Sequence, residues 1–119
     1  MENSHRILIV EDDIAICEFL SIALSDEGYV VAVAPNGLLG LSLVESFQPH
    51  LIVLDMRLPL MDGQDFLAVY KGSPDPAPII GISAVRDAKG LAESLGIADF
   101  LEKPFSLDIL FDHIKALLG

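Results

Sequence analysis

A chain of 119 residues has the length of one domain, and its 52% hydrophobic content is enough to bury a core unaided. The one cysteine closes no internal bridge and is too few for a Cys-rich zinc site, so neither device is expected to hold the fold. Seven Lys and Arg against 18 Asp and Glu give a net charge of −11, which repels nucleic acid phosphates and anionic membranes and excludes autonomous DNA binding.

The first element is the unbroken apolar run ILIV at 7–10, the pattern of a strand buried on both faces. Ile16, Cys17, Leu20, Ala23 and Leu24 then recur at helical spacing, with Gly28 as the expected stop. VVAV at 30–33 reads as the second strand. Asn36 and Gly37 open a second helix carrying Leu41, Val44 and Phe47, and Pro49 closes it. LIVL at 51–54 is the third strand. Asp62 and Gly63 form a turn and start a third helix with Phe66, Leu67 and Tyr70. A Pro-rich turn at 73–78 leads to a fourth strand, IIGI at 79–82. Ala88, Leu91, Ala92 and Leu95 mark a fourth helix that ends at Gly96. Phe100 and Leu101 mark the fifth strand. Ser106 caps a fifth helix with Leu107, Leu110, Phe111, Ile114 and Leu117. Five β-α units joined by right-handed crossovers imply an α/β fold, a parallel sheet with helices on both faces. The expectation is a single domain over 1–119. No apolar run approaches the roughly 20 residues that span a bilayer and no signal-peptide pattern opens the chain, so the expected location is cytoplasmic, without membrane association.

In such sheets ligands bind beyond the carboxyl ends of the strands. Glu11, Asp12, Asp13, Asp55, Ser83, Ala84, Lys103 and Pro104 fall there. Glu11, Asp12 and Asp55 are expected to converge, and carboxylates so close destabilise one another unless a cation joins them. An all-oxygen donor set favours Mg²⁺ or Mn²⁺ over zinc. An added ammonium from Lys103 and hydroxyl from Ser83 suit a phosphoryl group, with one Asp as nucleophile. Asp13 reads as the N-terminal acid of the first helix rather than a third ligand on that loop. Cys17 reads as core, and His5, His50 and His113 as surface residues that match no motif.

In this order, the residues make the chain resemble a response-regulator receiver domain of two-component signalling, chemotaxis-regulator-like. The matching pieces are ILIVEDD at 7–13, LD at 54–55 followed by LPLMDG at 58–63, SA at 83–84 and KPF at 103–105. The resemblance implies a flavodoxin-like, doubly wound strand order of 2-1-3-4-5. It implies that Asp55 accepts the phosphoryl group and that Glu11, Asp12, Asp55 and the backbone carbonyl of Arg57 hold Mg²⁺. Ser83 and Lys103 would bind the phosphoryl oxygens, small Ala84 would leave access, and Phe100 would stand at the aromatic switch position. The Lys103–Pro104 bond would be cis. Implied partners are a histidine kinase or histidine phosphotransfer protein and an unidentified output partner. The implied state is a monomer or a weak phosphorylation-dependent dimer, with weak self-phosphotransfer and autodephosphorylation.

Some positions depart from that pattern. Leu38, Leu39 and Leu43 lie outside the expected buried stripe of the second helix and read first as isolated exposed leucines. Gly40 is expected to weaken that helix. Lys103 follows Ser83 by 20 residues, about two fewer than the family pattern, which curtails a fourth helix that also contains Gly90. Arg57 and Val85, each two residues beyond a site residue, replace the amide that positions water in fast hydrolases, so slow autodephosphorylation is expected. A phosphohydrolase would need a second Asp where Arg57 stands. A flavin phosphate would be repelled by Glu11, Asp12 and Asp13, which argues against an electron carrier of the same topology. A degenerate receiver kept only for binding is disfavoured because every key residue is present.

Overall fold

Strand and helix alternate along a computed structural model of the chain, which describes residues 5–58, 61–84 and 88–119. The elements are β1 (Arg6–Val10), α1 (Ile14–Asp26), β2 (Val30–Ala34), α2 (Gly37–Phe47), β3 (Leu51–Asp55), α3 (Gly63–Tyr70), β4 (Ile79–Ser83), α4 (Ala88–Leu95), β5 (Asp99–Glu102) and α5 (Leu107–Leu118). All strand pairs are parallel, in the expected order β2-β1-β3-β4-β5. The register sets Asp55 opposite Ile82 and Ser83 opposite Glu102, so the carboxyl ends of β3, β4 and β5 form one rim.

Alternation along the strands splits the core in two. Ile7, Ile9 and Val53 join Cys17, Leu20 and Leu24 of α1 and Leu110 and Ile114 of α5. Leu8, Val10 and Leu54 join Phe66, Leu67 and Tyr70 of α3 on the other face. Each such side chain contributes about 1.5–3 kcal/mol on burial, which is why these strands are apolar at every position.

The helix starts follow from side-chain caps. Asp13 accepts from the Ile16 amide, Asn36 from Leu39, Asp62 from Asp65 and Ser106 from Ile109, each satisfying an amide without an intrahelical partner. Gly28, at φ +97°, ends α1, and Gly96, at φ +70°, follows α4. The fourth helix is short, as expected, at eight residues.

Two expectations for α2 need correction. Leu43 packs, partly buried, against the α3-side core, leaving only Leu38 and Leu39 of the three exposed. Gly40 is buried, and a Cβ there would meet Phe66 at 3.1 Å and Val10 at 3.2 Å. Its lack of a side chain lets α2 lie close on β1, so packing offsets the propensity cost.

The histidines also differ from expectation. At the amino end of the sheet His50 Nδ1 accepts from the Arg6 amide at 2.8 Å, and its ring meets His5 edge to face at 5.1 Å. His113 of α5 pairs with Asp99 of β5. These histidines hold elements together rather than standing free on the surface.

Candidate functional site

The loops that leave the carboxyl ends of the strands bring the acids together. Glu11 and Asp12 follow β1, Asp55 ends β3, Ser83 ends β4 and Lys103 follows β5. A carboxylate oxygen from each of Glu11, Asp12 and Asp55 lies within 4.8 Å of the others. Glu11 is 1% exposed and Asp55 4%, whereas Asp12 is open to solvent. Lys103 Nζ stands 3.4 Å from both Glu11 Oε1 and Asp55 Oδ2. The remaining oxygens are held by backbone: Glu11 Oε2 accepts from the Asp13 amide at 3.1 Å and Asp55 Oδ1 from the Arg57 amide at 3.0 Å.

One ammonium does not balance three carboxylates. Burial, then a hydrogen bond with the Asp55 carboxyl, pushes Glu11 up from 4.5 to about 7. The Asp13 amide and the Lys103 charge oppose that rise only in part. Burial by itself would lower Lys103, but the charges of Asp55 and Glu11 outweigh it and hold the ammonium above its ordinary value. A buried carboxyl that retains a proton near neutrality beside two further carboxylates is a site short of positive charge. Its donors are all oxygen, with two acids fixed and one accessible. That set fits a small hard divalent cation, which would displace the proton. Among the described residues it is the sole such cluster.

The other expected site residues fall as follows. Ser83 is buried at the rim and Ala84 next to it is exposed. Phe100 is buried, and its ring lies against Gly81, where a Cβ would approach it to 2.9 Å. The Lys103–Pro104 bond is cis, as expected. The Arg57 side chain is exposed. Val85 lies outside the described residues, as do Pro59 and Leu60 of the 58–63 motif. Gly63 closes that motif tightly: its amide donates to Met56 O at 3.2 Å, and a Cβ would come within 2.7 Å of Met56 Cα. Cys17 Sγ donates to Glu11 O at 3.1 Å, a support under the acid loop that helical spacing alone did not reveal.

A doubly wound sheet with an acidic pocket and a lysine at its carboxyl rim is the architecture of a signalling receiver. Residues 7–115 match the family described as the response regulator receiver domain, and the chain belongs to it. The family is that of two-component signalling receivers. Response regulator MprA of Mycobacterium tuberculosis is 37% identical over 117 residues, covering 97% of this chain and 51% of MprA. The chain therefore spans about half the length of the curated relatives it matches. The receiver domain of a response regulator from Bermanella marisrubri superposes with a TM-score of 0.88 at 32% identity, covering 98% of this chain and all of that one. The receiver domain of a signal transduction histidine kinase from Syntrophus aciditrophicus gives 0.86 at 33% identity, covering 97% and 90%. No described helix is long and apolar enough to cross a membrane.

Proposed function

We propose that the chain works as a phosphorylation switch in which Asp55 accepts a phosphoryl group from a phosphohistidine on a histidine kinase or phosphotransfer protein. The observation that carries this is the set around Asp55. One of its oxygens is held by the Arg57 amide, the other stands by Lys103, and Glu11 and Asp12 lie within 4.8 Å. A carboxylate oxygen of Asp55 attacks phosphorus. The O–P bond forms as the N–P bond breaks, and the electron pair stays on the departing imidazole nitrogen. Glu11, Asp12, Asp55 and the Arg57 carbonyl are the ligands assigned to Mg²⁺, with Mn²⁺ as substitute. The cation contributes charge neutralisation of the phosphoryl oxygens when bound. Lys103 exchanges its carboxylate partners for a phosphoryl oxygen, and the Ser83 hydroxyl donates to another. Ala84 leaves that approach open.

Loss of the Lys103 contacts then biases the β4–β5 rim and Phe100 between two arrangements that an output partner reads. We assign residues 1–119 to one such domain, monomeric or weakly dimeric when phosphorylated, in the cytoplasm with its kinase. Exposed Arg57, with Val85, slows attack of water on the acyl phosphate. A longer phosphoryl half-life in wild type than in Arg57→Asn/Val85→Glu supports that role, and equal half-lives refute it.

Acetyl phosphate with Mg²⁺ tests the main reading. Mass spectrometry should find one phosphoryl group per chain, lost without Mg²⁺ and in Asp55→Asn. A label on any other carboxylate overturns the assignment.

A further inference from the structure

The two edges of the sheet are finished differently. β5 closes one edge, with Asp99 and Glu102 at its ends and His113 of α5 paired with Asp99, and charge on an edge strand discourages a further strand. β2 forms the other edge with the sequence VVAVA, which carries neither charge nor proline. Val30 donates its amide to His5 O and Ala34 O accepts from the Glu11 amide, so both turn their backbone toward β1. Alternation then turns the N–H and C=O of Val31 and Val33 outward, where no described strand meets them. Side chains add to the open border: Val30 is 45% exposed and Val33 36%, on opposite faces of the strand. An apolar edge that is not blunted, with its backbone groups open, is a template for pairing.

We propose that β2 pairs antiparallel with β2 of a second copy of this chain, about a two-fold axis through Ala32, joining two five-stranded sheets edge to edge. In that register Val31 of each copy exchanges both backbone hydrogen bonds with Val33 of the other, which satisfies every outward group of the two strands. Charge commits the occupant to a second copy. The strand has no charge with which to repel its like. The antiparallel arrangement also brings Glu27, just before β2, toward the amino end of α2 in the other copy. That end is capped by Asn36, carries the positive pole of the helix and has no acid in its first turn to offset it. Symmetry makes the contact twice. The net charge of −11 on each copy opposes approach, and salt screens that repulsion. The result is a weak dimer in exchange with the monomer. It forms at the edge of the sheet away from β4 and β5 and does not require phosphorylation of Asp55.

Sedimentation and amide hydrogen exchange on the whole chain, at rising concentration, test this. Wild type should dimerise with a Kd on the order of 100 μM at about 0.15 M salt, and more tightly at higher salt. Exchange at Val31 and Val33 should slow as the dimer fills, while exchange at Val30 and Ala32, whose amides face β1, stays unchanged. Val30→Lys should weaken the dimer about tenfold or more. Val33→Pro removes an outward donor without breaking a bond to β1 and should do the same. Ile109→Ser, on the exposed face of α5, should leave the dimer unchanged. Amide spectra report that each variant is folded, and the exchange measurement on wild type needs no variant. A chain still monomeric at about 1 mM overturns the proposal. So does a dimer that Ile109→Ser disperses and Val30→Lys does not, or one that leaves exchange at Val31 and Val33 unchanged, because the contact then lies elsewhere. Slow exchange at both residues in the monomer also overturns it, since the edge is then covered within one copy.

Discussion

The two ends of the sheet handle charge in opposite ways. At the amino end Arg6 Nε donates to the carbonyls of Phe47 at 3.0 Å and Gln48 at 2.9 Å, where α2 stops, and His50 accepts the Arg6 amide. The cation sits on the negative end of a helix dipole, and the contacts are complementary. At the carboxyl end Glu11 and Asp55 are buried together, with Asp12 near and, among the described residues, Lys103 as the cation paired with them. One end is arranged for stability. The other holds like charges together at a cost, a repulsion that a bound cation would relieve.

Cation binding should break the contrast most strongly. Mg²⁺ at a hundredfold excess over its Kd should stabilise the chain by about 2.7 kcal/mol. Calorimetric melts with Mg²⁺ and with chelator measure this, and the gain should vanish in Glu11→Gln. Asp12→Ala should weaken the metal and raise the stability of the metal-free chain, since a like charge leaves the cluster.

Acid titration of the metal-free chain comes next. Glu11 keeps its proton to about pH 7 when folded, against 4.5 ordinarily. The folded chain thus holds the extra proton between those values, and stability should fall as pH rises through that window. The expected loss is about 2 kcal/mol, because the coupling to Asp55 shares the effect. Denaturant melts in chelator should show the slope, and Glu11→Gln should remove it.

Arg6→Met should cost about 1.5 kcal/mol, the worth of hydrogen bonds to a charged group at a half-open site. The Mg²⁺-dependent gain should stay unchanged, since the two ends act independently. The smallest effect is expected at His50. Burial, then the charges of Arg6 and His5, lowers its pKa below 6.5. The unfolded chain then binds the proton more readily, so stability should rise with pH up to about 6.5 and level off, opposite in sign to Glu11. His50→Gln should erase the rise by a few tenths of a kcal/mol.

Most of the fold was legible because the central strands are short runs apolar at every position and bounded by turn or acidic residues, a pattern that suits strands covered on both faces. The caps at Asn36 and Ser106 and the stop at Gly28 were readable for a similar reason: each acts within a few residues of its own helix. The convergence of Glu11, Asp12 and Asp55 followed from the parallel topology, which sends every strand to the same rim. What escaped the sequence depends on distant pairing. His50 meets Arg6 across 44 positions, and His113 meets Asp99 only because α5 folds back along β5. Gly40 looked like a defect until Val10 and Phe66 occupied the space beside it.

The thiol under the acid loop has a practical consequence. Cys17 is the only cysteine in the chain, and burial, with the charges of Glu11, Asp13 and Asp12 behind it, pushes its pKa up to about 11. Maleimides and disulfide reagents need the thiolate, so the native chain should be nearly inert to them at neutral pH. An introduced surface cysteine could then carry a fluorophore or spin label at one defined place with Cys17 left intact. Slow labelling of the unmodified chain would in turn clock the openings that expose α1.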